Sequence, residues 1–350
     1  MFSCAIALTA LFVRCQRSLL QIDLIGVIRA DSWGDMFALE IENIDKIYKS
    51  SKAGGQKSVV KALDRVSFHV SEGEIFGLLG PNGAGKTSLI SILTTLERST
   101  AGTAKIFGVD VVKKPRDAKS LLGVVPQEIV TPGFFNLVEL LEFQSGYHGL
   151  IKNGEQIEFL LHELDLWVHR LKLVKQLSGG MKRRLMIAKA LVHKPKLLLL
   201  DEPTAGVDVE LRSKLWVFVR KLKEQGTTVL LTTHYLSEAE ELCSRVGILS
   251  KGKLGYVGPT RGIIEKMTSR TLEIQTHSPV LCDDQVLTAA KIKILSQQEN
   301  FMKISVPHAA GVGEVLQMLK IPLEQIVDVK TREGTLEEAF LNSIEEGRVQ

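Results

Sequence analysis

The fold of this chain is decided by the stretch GPNGAGKT, residues 80–87, which follows an apolar run at residues 74–79 and precedes a helical pattern at residues 86–96. The stretch matches G-x-x-x-x-G-K-S/T in the strand–turn–helix context that this motif requires. Its glycines allow backbone N–H groups to turn toward anionic oxygens, and the following helix adds the positive end of its dipole. The sequence therefore predicts a loop that binds the phosphates of a nucleotide. Its residues are Gly80, Pro81, Asn82, Gly83, Ala84, Gly85, Lys86, Thr87 and Ser88.

Two side chains at the end of this loop carry its chemistry. Lys86 is predicted to reach the β- and γ-phosphates and to stabilise their charge during the reaction. Thr87 is predicted to offer its hydroxyl to Mg²⁺. Taken alone, the motif indicates a nucleotide phosphate and does not say which reaction follows.

A second motif, LLLLDEPT at residues 197–204, places two carboxylates at the end of an apolar run. Such a run is typical of a strand in a parallel sheet that is covered on both faces. Ligands of α/β folds bind beyond the carboxyl ends of these strands. We therefore expect Asp201 to hold Mg²⁺ through water, and Glu202 to polarise the attacking water as general base.

A third motif, LSGGM at residues 177–181, opens another helix. Ser178 starts this helix, and Gly179 and Gly180 leave the backbone N–H groups free of side chains, so it can also bind phosphate. One γ-phosphate does not need two such cradles from one chain. A head-to-tail homodimer does, because each ATP is then held by the phosphate loop of one chain and Ser178 of the other. The basic residues that follow, 182–184 (KRR), are expected to form a solvated helix face.

In this order the motifs resemble those of the ATP-binding subunits of ABC transporters, and the resemblance covers residues 37–265. It implies ATP and Mg²⁺ as ligands. Gln127, in VVPQE, resembles the Q-loop glutamine that senses Mg²⁺ and the γ-phosphate and faces the membrane partner. His234, in LLTTHY, resembles the switch histidine that contacts the γ-phosphate. Asp208, in AGVD, resembles the D-loop residue at the subunit contact. The implied metal ligands are Thr87, Gln127 and Asp201.

Tyr48 resembles the aromatic residue that stacks on adenine in this family. The match is incomplete, because the small and polar residues 49–58 lengthen the usual spacing to the next strand. We interpret residues 49–58 as a loop. The other interpretation of Tyr48 is a core aromatic.

The alternation of strand and helix patterns predicts an α/β fold, and the resemblance makes it a P-loop NTPase of the ABC ATPase type. We expect a mainly parallel sheet core, an antiparallel β subdomain, a helical insert and a small C-terminal α+β appendage. The predicted ATPase domain covers residues 36–268, with the helical subdomain at about 130–185. The appendage covers residues 269–350, and Thr335 and Glu338 form the capping box of its last helix.

The composition excludes several classes of protein. The 350 residues include 44 Lys and Arg and 40 Asp and Glu, a formal net charge of +4, so we expect no nucleic-acid partner. The hydrophobic fraction of 45% excludes a disordered chain. A membrane-spanning helix needs about 20 apolar residues, and the longest apolar run, residues 4–13, has ten. An integral membrane protein and a fibre are thereby excluded.

The first 35 residues have a short apolar run with Arg14 and Arg17 after it, whereas a signal peptide has its positive charge before the run. We predict that Met36 is the functional start and that residues 1–35 are a disordered or non-native extension. The alternative is an amphipathic segment on a membrane surface. The cysteines have no CxxC pair, so we expect buried or free thiols in a cytosolic protein; they are Cys4, Cys15, Cys243 and Cys282.

The motifs LSGGMKRRL and DEPTAGVD, together with GTLEEAFL near the C-terminus, resemble bacterial exporters of drugs, antibiotics and polysaccharides or lipo-oligosaccharides. In these the ATPase and the membrane subunit are often separate chains. The expected function is therefore ATP hydrolysis by a homodimer that binds a separate transmembrane permease at the cytoplasmic face of the inner membrane. The alternative is an ABC ATPase of translation or DNA repair; those carry two cassettes or long coiled coils, and this chain has neither. An unrelated P-loop kinase or GTPase would not explain LSGGM.

Overall fold

The structure is a computed structural model that describes residues 37–51, 57–128, 132–204, 209–279, 290 and 292–345. The predictions for residues 1–35 and for Asp208 lie outside the described residues. The described strands are β1 (Phe37–Ser51), β2 (Lys57–Ser71), β3 (Ile75–Leu79), β4 (Ala101–Ile106), β5 (Val109–Asp110), β6 (Leu122–Val125), β7 (Leu197–Asp201), β8 (Thr228–Thr233), β9 (Arg245–Ser250), β10 (Lys253–Pro259), β11 (Arg270–Thr276), β12 (Lys293–Gln298), β13 (Phe301–Val306) and β14 (Ile326–Arg332). The described α-helices are α1 (Lys86–Leu93), α2 (Pro115–Ser120), α3 (Leu137–Tyr147), α4 (Gly154–Glu163), α5 (Gly179–Leu191), α6 (Val209–Glu224), α7 (Leu236–Leu242), α8 (Thr260–Met267), α9 (Val312–Met318) and α10 (Leu336–Glu345).

The centre of the fold is a six-stranded sheet with the strand order β10-β9-β3-β8-β7-β6. Its strands run parallel except β10, which pairs antiparallel with β9. Every residue of β3, β7 and β8 is buried, which for β7 confirms the predicted strand of a parallel sheet covered on both faces. Because parallel strands end at the same edge of a sheet, the residues that follow β3, β6, β7 and β8 lie near one another.

A second sheet, of order β2-β1-β4-β5, is antiparallel. Apolar residues that alternate along its strands share a core with one face of the central sheet, where Phe68 stacks on Phe76. The prediction of a loop at residues 49–58 is wrong at both ends, because Lys49 pairs with Val59 across the β1–β2 ladder. The ladder is made of main-chain hydrogen bonds, so polar side chains do not end it. Residues 52–56 lie outside the described residues.

Helices α3, α4 and α5 lie between β6 and β7, as the predicted fold class requires. Asn136 and Glu139 form a capping box at the start of α3, which satisfies two of its free N–H groups. The apolar faces of the three helices are buried in one core, to which Leu141, Leu161 and Leu185 belong. This insert carries α5, and with it the LSGGM motif.

The C-terminal part has an antiparallel sheet of order β12-β13-β11-β14 and a core of its own with α9. The last helix returns to the ATPase core, where Leu336 and Ala339 are fully buried. Thr335 and Glu338 form the predicted capping box: the Glu338 N–H donates to Thr335 Oγ1 at 3.2 Å, and the Thr335 N–H to Glu338 Oε2 at 3.1 Å. Hydrogen bonds from Leu336 N–H to Glu240 and from the Asn342 amide to the carbonyl oxygen of Met267 join this last helix to α7 and α8.

Two further predictions concern the state of the cysteines and the lack of a membrane-spanning helix. Cys243 is buried and free, as expected, whereas Cys4, Cys15 and Cys282 lie outside the described residues. None of the helices in the described ranges has the length and apolar character needed to cross a bilayer.

Candidate functional site

The loop between β3 and α1 has the backbone conformation that its glycines predict. Gly83 and Gly85 have φ values of +79° and +111°, a region that residues with a Cβ rarely adopt. A Cβ on Gly85 would also lie 2.5 Å from the carbonyl oxygen of Ala62. Glycine is therefore required at this position both by conformation and by space.

Lys86 is the first residue of α1 and is only 6% exposed. Its ammonium group donates to the carbonyl oxygens of Gly80, at 2.6 Å, and Pro81, at 3.2 Å. Burial lowers the pKa of Lys86, and the nearby carboxylates of Glu202 and Asp201 oppose that shift. A buried cation at the start of a helix is well suited to bind an anion.

The loop opens into a cleft of about 440 Å³. Besides residues of the loop itself, the cleft is lined by groups from the ends of β6 and β7 and from the β9–β10 turn. The lining residues are Val60, Lys61, Ala62, Asn82, Gly83, Ala84, Gly85, Lys86, Thr87, Ser88, Gln127, Glu202, Lys251 and Gly252. The predicted phosphate loop, Q-loop glutamine and general base therefore share one cleft.

Asp201 and Glu202 leave the end of β7 in different directions. Asp201 accepts a hydrogen bond of 2.5 Å from the Thr232 hydroxyl, and burial raises the pKa of this carboxyl, with the charge of Glu202 acting in the same direction. Glu202 has a φ of +45°, which is unfavourable for a residue with a side chain. Its N–H donates to the carbonyl oxygen of Thr232 at 3.0 Å, which holds the turn in place.

The carboxylate of Glu202 is held by two side chains from neighbouring strand ends. Gln127 Nε2 donates to Glu202 Oε2 at 3.0 Å, and His234 Nδ1 lies 3.2 Å from the same oxygen. Glu202 is buried, whereas Gln127 and His234 are exposed. The structure thus brings together the three predicted residues and leaves Glu202 Oε1 free of these two partners.

The LSGGM motif lies elsewhere on the same chain. Ser178 caps α5, since its Oγ accepts from the Met181 N–H at 3.3 Å. Ser178 and Gly179 are exposed, and no residue of 177–181 is among those that line the cleft. The two predicted phosphate-binding helix starts therefore do not face the same cleft within one chain.

Tyr48 lies beside the helix that follows the phosphate loop. Its hydroxyl donates to Glu97 Oε2 at 2.6 Å and lies 3.3 Å from Ser88 Oγ, and the Lys46 ammonium is 4.9 Å from its ring centre. Burial raises the pKa of Tyr48, and the hydrogen bond to Glu97 adds to the shift. The ring is 36% exposed, so it is not a core aromatic and is free to stack on a planar ligand.

Two of the three basic residues after LSGGM, Arg183 and Arg184, do not belong to the predicted solvated face. Arg183 is only 4% exposed, and its guanidinium donates to main-chain carbonyls at the ends of β6 and β7. Arg184 donates to the carbonyl oxygen of Leu164 at 2.9 Å and is half-buried. The prediction is wrong because carbonyl oxygens, which no sequence pattern displays, take the place of water around these cations.

Thr232 and Arg183 are the site residues that the sequence analysis missed. Thr232 could have been found from strand register: in a parallel sheet, the residue two before His234 pairs with Asp201. Arg183 gave a weaker signal, since a basic residue after a helix start is usually solvated.

The side chains at the cleft fit an Mg²⁺ ion that is bound partly by the protein and partly by the phosphates of a nucleotide. Among the described residues no cluster of three or more His, Cys, Asp or Glu is arranged around a metal position. Mg²⁺ is usually held by one or two carboxylates together with substrate phosphates and water. Asp201, whose Oδ1 is fixed by Thr232, and the hydroxyl of Thr87 in the cleft supply such a partial set.

Comparisons with known proteins agree with this geometry. Residues 63–205 match the family described as ABC transporter. The chain is 34% identical over 314 residues to the linearmycin resistance ATP-binding protein LnrL of Bacillus subtilis (strain 168), covering 87% of this chain and 97% of the relative. It is 39% identical over 253 residues to the Nod factor export ATP-binding protein I of Paraburkholderia xenovorans (strain LB400), covering 71% and 80%.

Solved structures give the same result for the fold. An ATP-binding subunit of an ABC transporter superposes with a TM-score of 0.58 at 27% identity, covering 65% of this chain and 92% of that one. A dimeric ATP-binding cassette in a post-hydrolysis state, bound to ADP and Pi, superposes with a TM-score of 0.56 at 26% identity, covering 63% and 98%.

Proposed function

This chain belongs to the ABC transporter family as an ATP-binding subunit of an exporter, and we propose that it hydrolyses MgATP to drive export through a separate membrane subunit. The observation that carries this proposal is the position of Glu202. Its carboxylate is held by Gln127 and His234 at the edge of the cleft that contains Lys86. A translation or DNA-repair ATPase finds no support among the relatives named above.

In the proposed reaction, Glu202 accepts a proton from the water that attacks the γ-phosphate. Lys86 leaves the carbonyl oxygens of Gly80 and Pro81 and binds the β- and γ-phosphates, which relieves the cost of its burial. His234 supports the γ-phosphate from the other side of Glu202. These groups act mainly by position and charge, as phosphoryl transfer requires.

Mg²⁺ would be held by Thr87, Gln127 and Asp201, and when bound it neutralises charge on the phosphates. The Thr232 hydroxyl donates to Oδ1 of Asp201, which fixes one of the two carboxylate oxygens. Asn82, Ala84 and the other loop residues would supply main-chain N–H groups to the phosphates.

A second copy of the chain would complete each site. Ser178, Gly179 and Gly180 would bind the γ-phosphate of the ATP held in the partner's cleft, since they are absent from the lining of their own. The dimeric ATP-binding cassette to which this chain is similar supports that arrangement. Asp208 is proposed for the contact between the two copies.

The membrane subunit would bind the helical insert close to Gln127. Four large apolar side chains of this insert are exposed: Phe134, Phe143, Tyr147 and Ile151, the last to 94%. Phe134, Phe135 and Phe143 form a continuous row of rings. An exposed apolar patch of this kind is typical of a protein interface. We propose that the chain is peripheral at the cytoplasmic face of the inner membrane.

The proposal is tested by Glu202→Gln in the full-length chain. The variant keeps the shape and the hydrogen bonds of the side chain but removes the base. We expect phosphate release to fall by about 100-fold or more, while ATP binds as in the wild type. Hydrolysis at the wild-type rate would contradict the assignment of Glu202 as base, and a wild-type chain that releases no phosphate would contradict the proposed activity.

A further inference from the structure

Arg183 projects from the second turn of α5 into the interior of the protein, between the ends of β6 and β7. Its Nη1 donates to the carbonyl oxygen of Pro126, at 2.5 Å, and to that of Gln127, at 3.1 Å. These are the main-chain groups that immediately precede and carry the Gln127 side chain. Arg183 therefore fixes the backbone from which Gln127 reaches Glu202.

The other nitrogens of the same guanidinium bind the turn after β7. Nη2 donates to the carbonyl oxygens of Asp201, at 3.1 Å, and Glu202, at 2.7 Å, while Nε donates to that of Pro203, at 2.8 Å. This turn includes the left-handed backbone of Glu202. The unfavourable conformation is thus held by hydrogen bonds on both sides, from Arg183 and from Thr232.

All five acceptors of Arg183 are main-chain carbonyl oxygens. The planar guanidinium presents five N–H donors in a fixed arrangement, so it can bind two chain segments at once. A lysine ammonium directs only three donors from a single point, so it cannot satisfy all five acceptors. Burial lowers the pKa of Arg183, and the carboxylates of Asp201 and Glu202 oppose that shift, so the cation is retained where it binds both segments.

The helix that carries Arg183 also carries Ser178 at its N-terminus. Five residues separate the two, about 7.5 Å along the helix axis. A rigid helix therefore joins the group proposed to bind the partner's ATP to the group that holds the base of this chain's own cleft.

We propose that Arg183 is a positioning residue that couples the two ATP sites. It holds Gln127 and Glu202 in their relative positions. When Ser178 binds the partner's ATP, Arg183 transmits the movement of α5 to Glu202, the base of its own site. The inference rests on the proposed function. It predicts that loss of the five guanidinium donors slows hydrolysis. The binding of ATP to the phosphate loop and the closure of the dimer should not weaken.

The test compares Arg183→Lys with Arg184→Lys in the full-length chain. Arg184 is on the same helix and also binds main-chain carbonyls, but those of Leu164 and Asp165, so it is a matched control. Three quantities are measured: kcat from phosphate release, Kd for MgATP, and the dimer formed with Mg²⁺ and a non-hydrolysable ATP analogue, by analytical ultracentrifugation.

For Arg183→Lys we expect kcat to fall by about tenfold or more, with Kd and dimer formation within about twofold of the wild type. Arg184→Lys should leave all three within about twofold. A wild-type kcat in Arg183→Lys would overturn the inference. Parallel losses of kcat, Kd and dimer would also overturn it, because they indicate a general loss of structure.

The failure of this inference differs from the failure of the proposed function. If Glu202→Gln loses hydrolysis and Arg183→Lys does not, only the coupling role is wrong. If Glu202→Gln hydrolyses ATP like the wild type, the proposed base is wrong and the inference falls with it. Arg183→Gln removes the charge but keeps two donors, so its kcat should fall at least as far as that of Arg183→Lys. A higher kcat in Arg183→Gln than in Arg183→Lys would contradict the requirement for the five guanidinium donors.

Discussion

The chain has two helix starts that are predicted to bind phosphate, and their surroundings differ. The start of α1 opens into a cleft with the buried Lys86 and the held carboxylate of Glu202. The start of α5 is exposed, and Ser178 caps its own helix. A helix dipole and free N–H groups arise wherever a helix begins, but reactive side chains gather only where several strands of a sheet end together. We therefore propose that the second start binds phosphate without contributing a reactive side chain.

The largest effect on hydrolysis is expected from a negative charge at the start of α5. Gly179→Glu places a carboxylate at the exposed first position of α5, where it interacts favourably with the helix dipole and where an added Cβ meets no heavy atom within 4 Å. The variant should therefore fold. The introduced carboxylate would repel the phosphates of the ATP bound by the partner, and like charges at an interface cost several kcal/mol. We therefore expect kcat to fall by about 100-fold. The Kd for ATP binding to the variant's own phosphate loop should not change.

The chain offers a matched control for this variant. Gly154 is likewise the exposed first residue of a helix, α4, and a Cβ there also meets nothing within 4 Å. Gly154→Glu should keep the wild-type kcat in a phosphate-release assay. If Gly179→Glu hydrolyses ATP like Gly154→Glu, the two starts do not act on the same nucleotide and the homodimer is wrong.

The other side of the comparison is tested at the start of α1. Lys86→Met removes the buried charge but keeps the length of the side chain. Hydrogen bonds to charged groups contribute about 1.5–3 kcal/mol, so we expect Kd for ATP to rise by about 10- to 100-fold in a fluorescent nucleotide titration. Lys189→Met is the control, since burial also lowers the pKa of Lys189 but this residue lies outside the cleft. Equal Kd values in the two variants would contradict a phosphate-binding role for Lys86.

Much of the fold could be predicted from the sequence because its determinants are local. Apolar runs such as residues 197–200 and the glycine pattern of the phosphate loop each depend on a few neighbouring residues, and the structure places them as predicted. Strand register was not predicted for the β1–β2 hairpin, because main-chain pairing continues through residues 49–51 despite their polar character.

The candidate site shows the same division. The proximity of Gln127, Glu202 and His234 follows from motifs at the ends of strands and could be predicted. The role of Arg183 could not, because its partners are carbonyl oxygens far along the chain, which have the same chemistry in every residue. Side chains that bind side chains leave a pattern in the sequence, whereas side chains that bind the backbone leave almost none.

The smallest expected effect concerns Tyr48, whose hydroxyl lies 3.3 Å from Ser88 of the cleft. If its ring stacks on adenine, Tyr48→Ala removes a contact of about 1 kcal/mol, and Kd for ATP should rise by about fivefold without a change in kcat. Tyr48→Phe keeps the ring but loses the hydrogen bonds to Glu97 and Ser88, so it separates stacking from the positioning of α1. Stacking predicts a wild-type Kd in Tyr48→Phe, measured by the same titration. An unchanged Kd in Tyr48→Ala, or an equal rise in both variants, would show that the base is held elsewhere and that Tyr48 supports the first helix start through its hydroxyl.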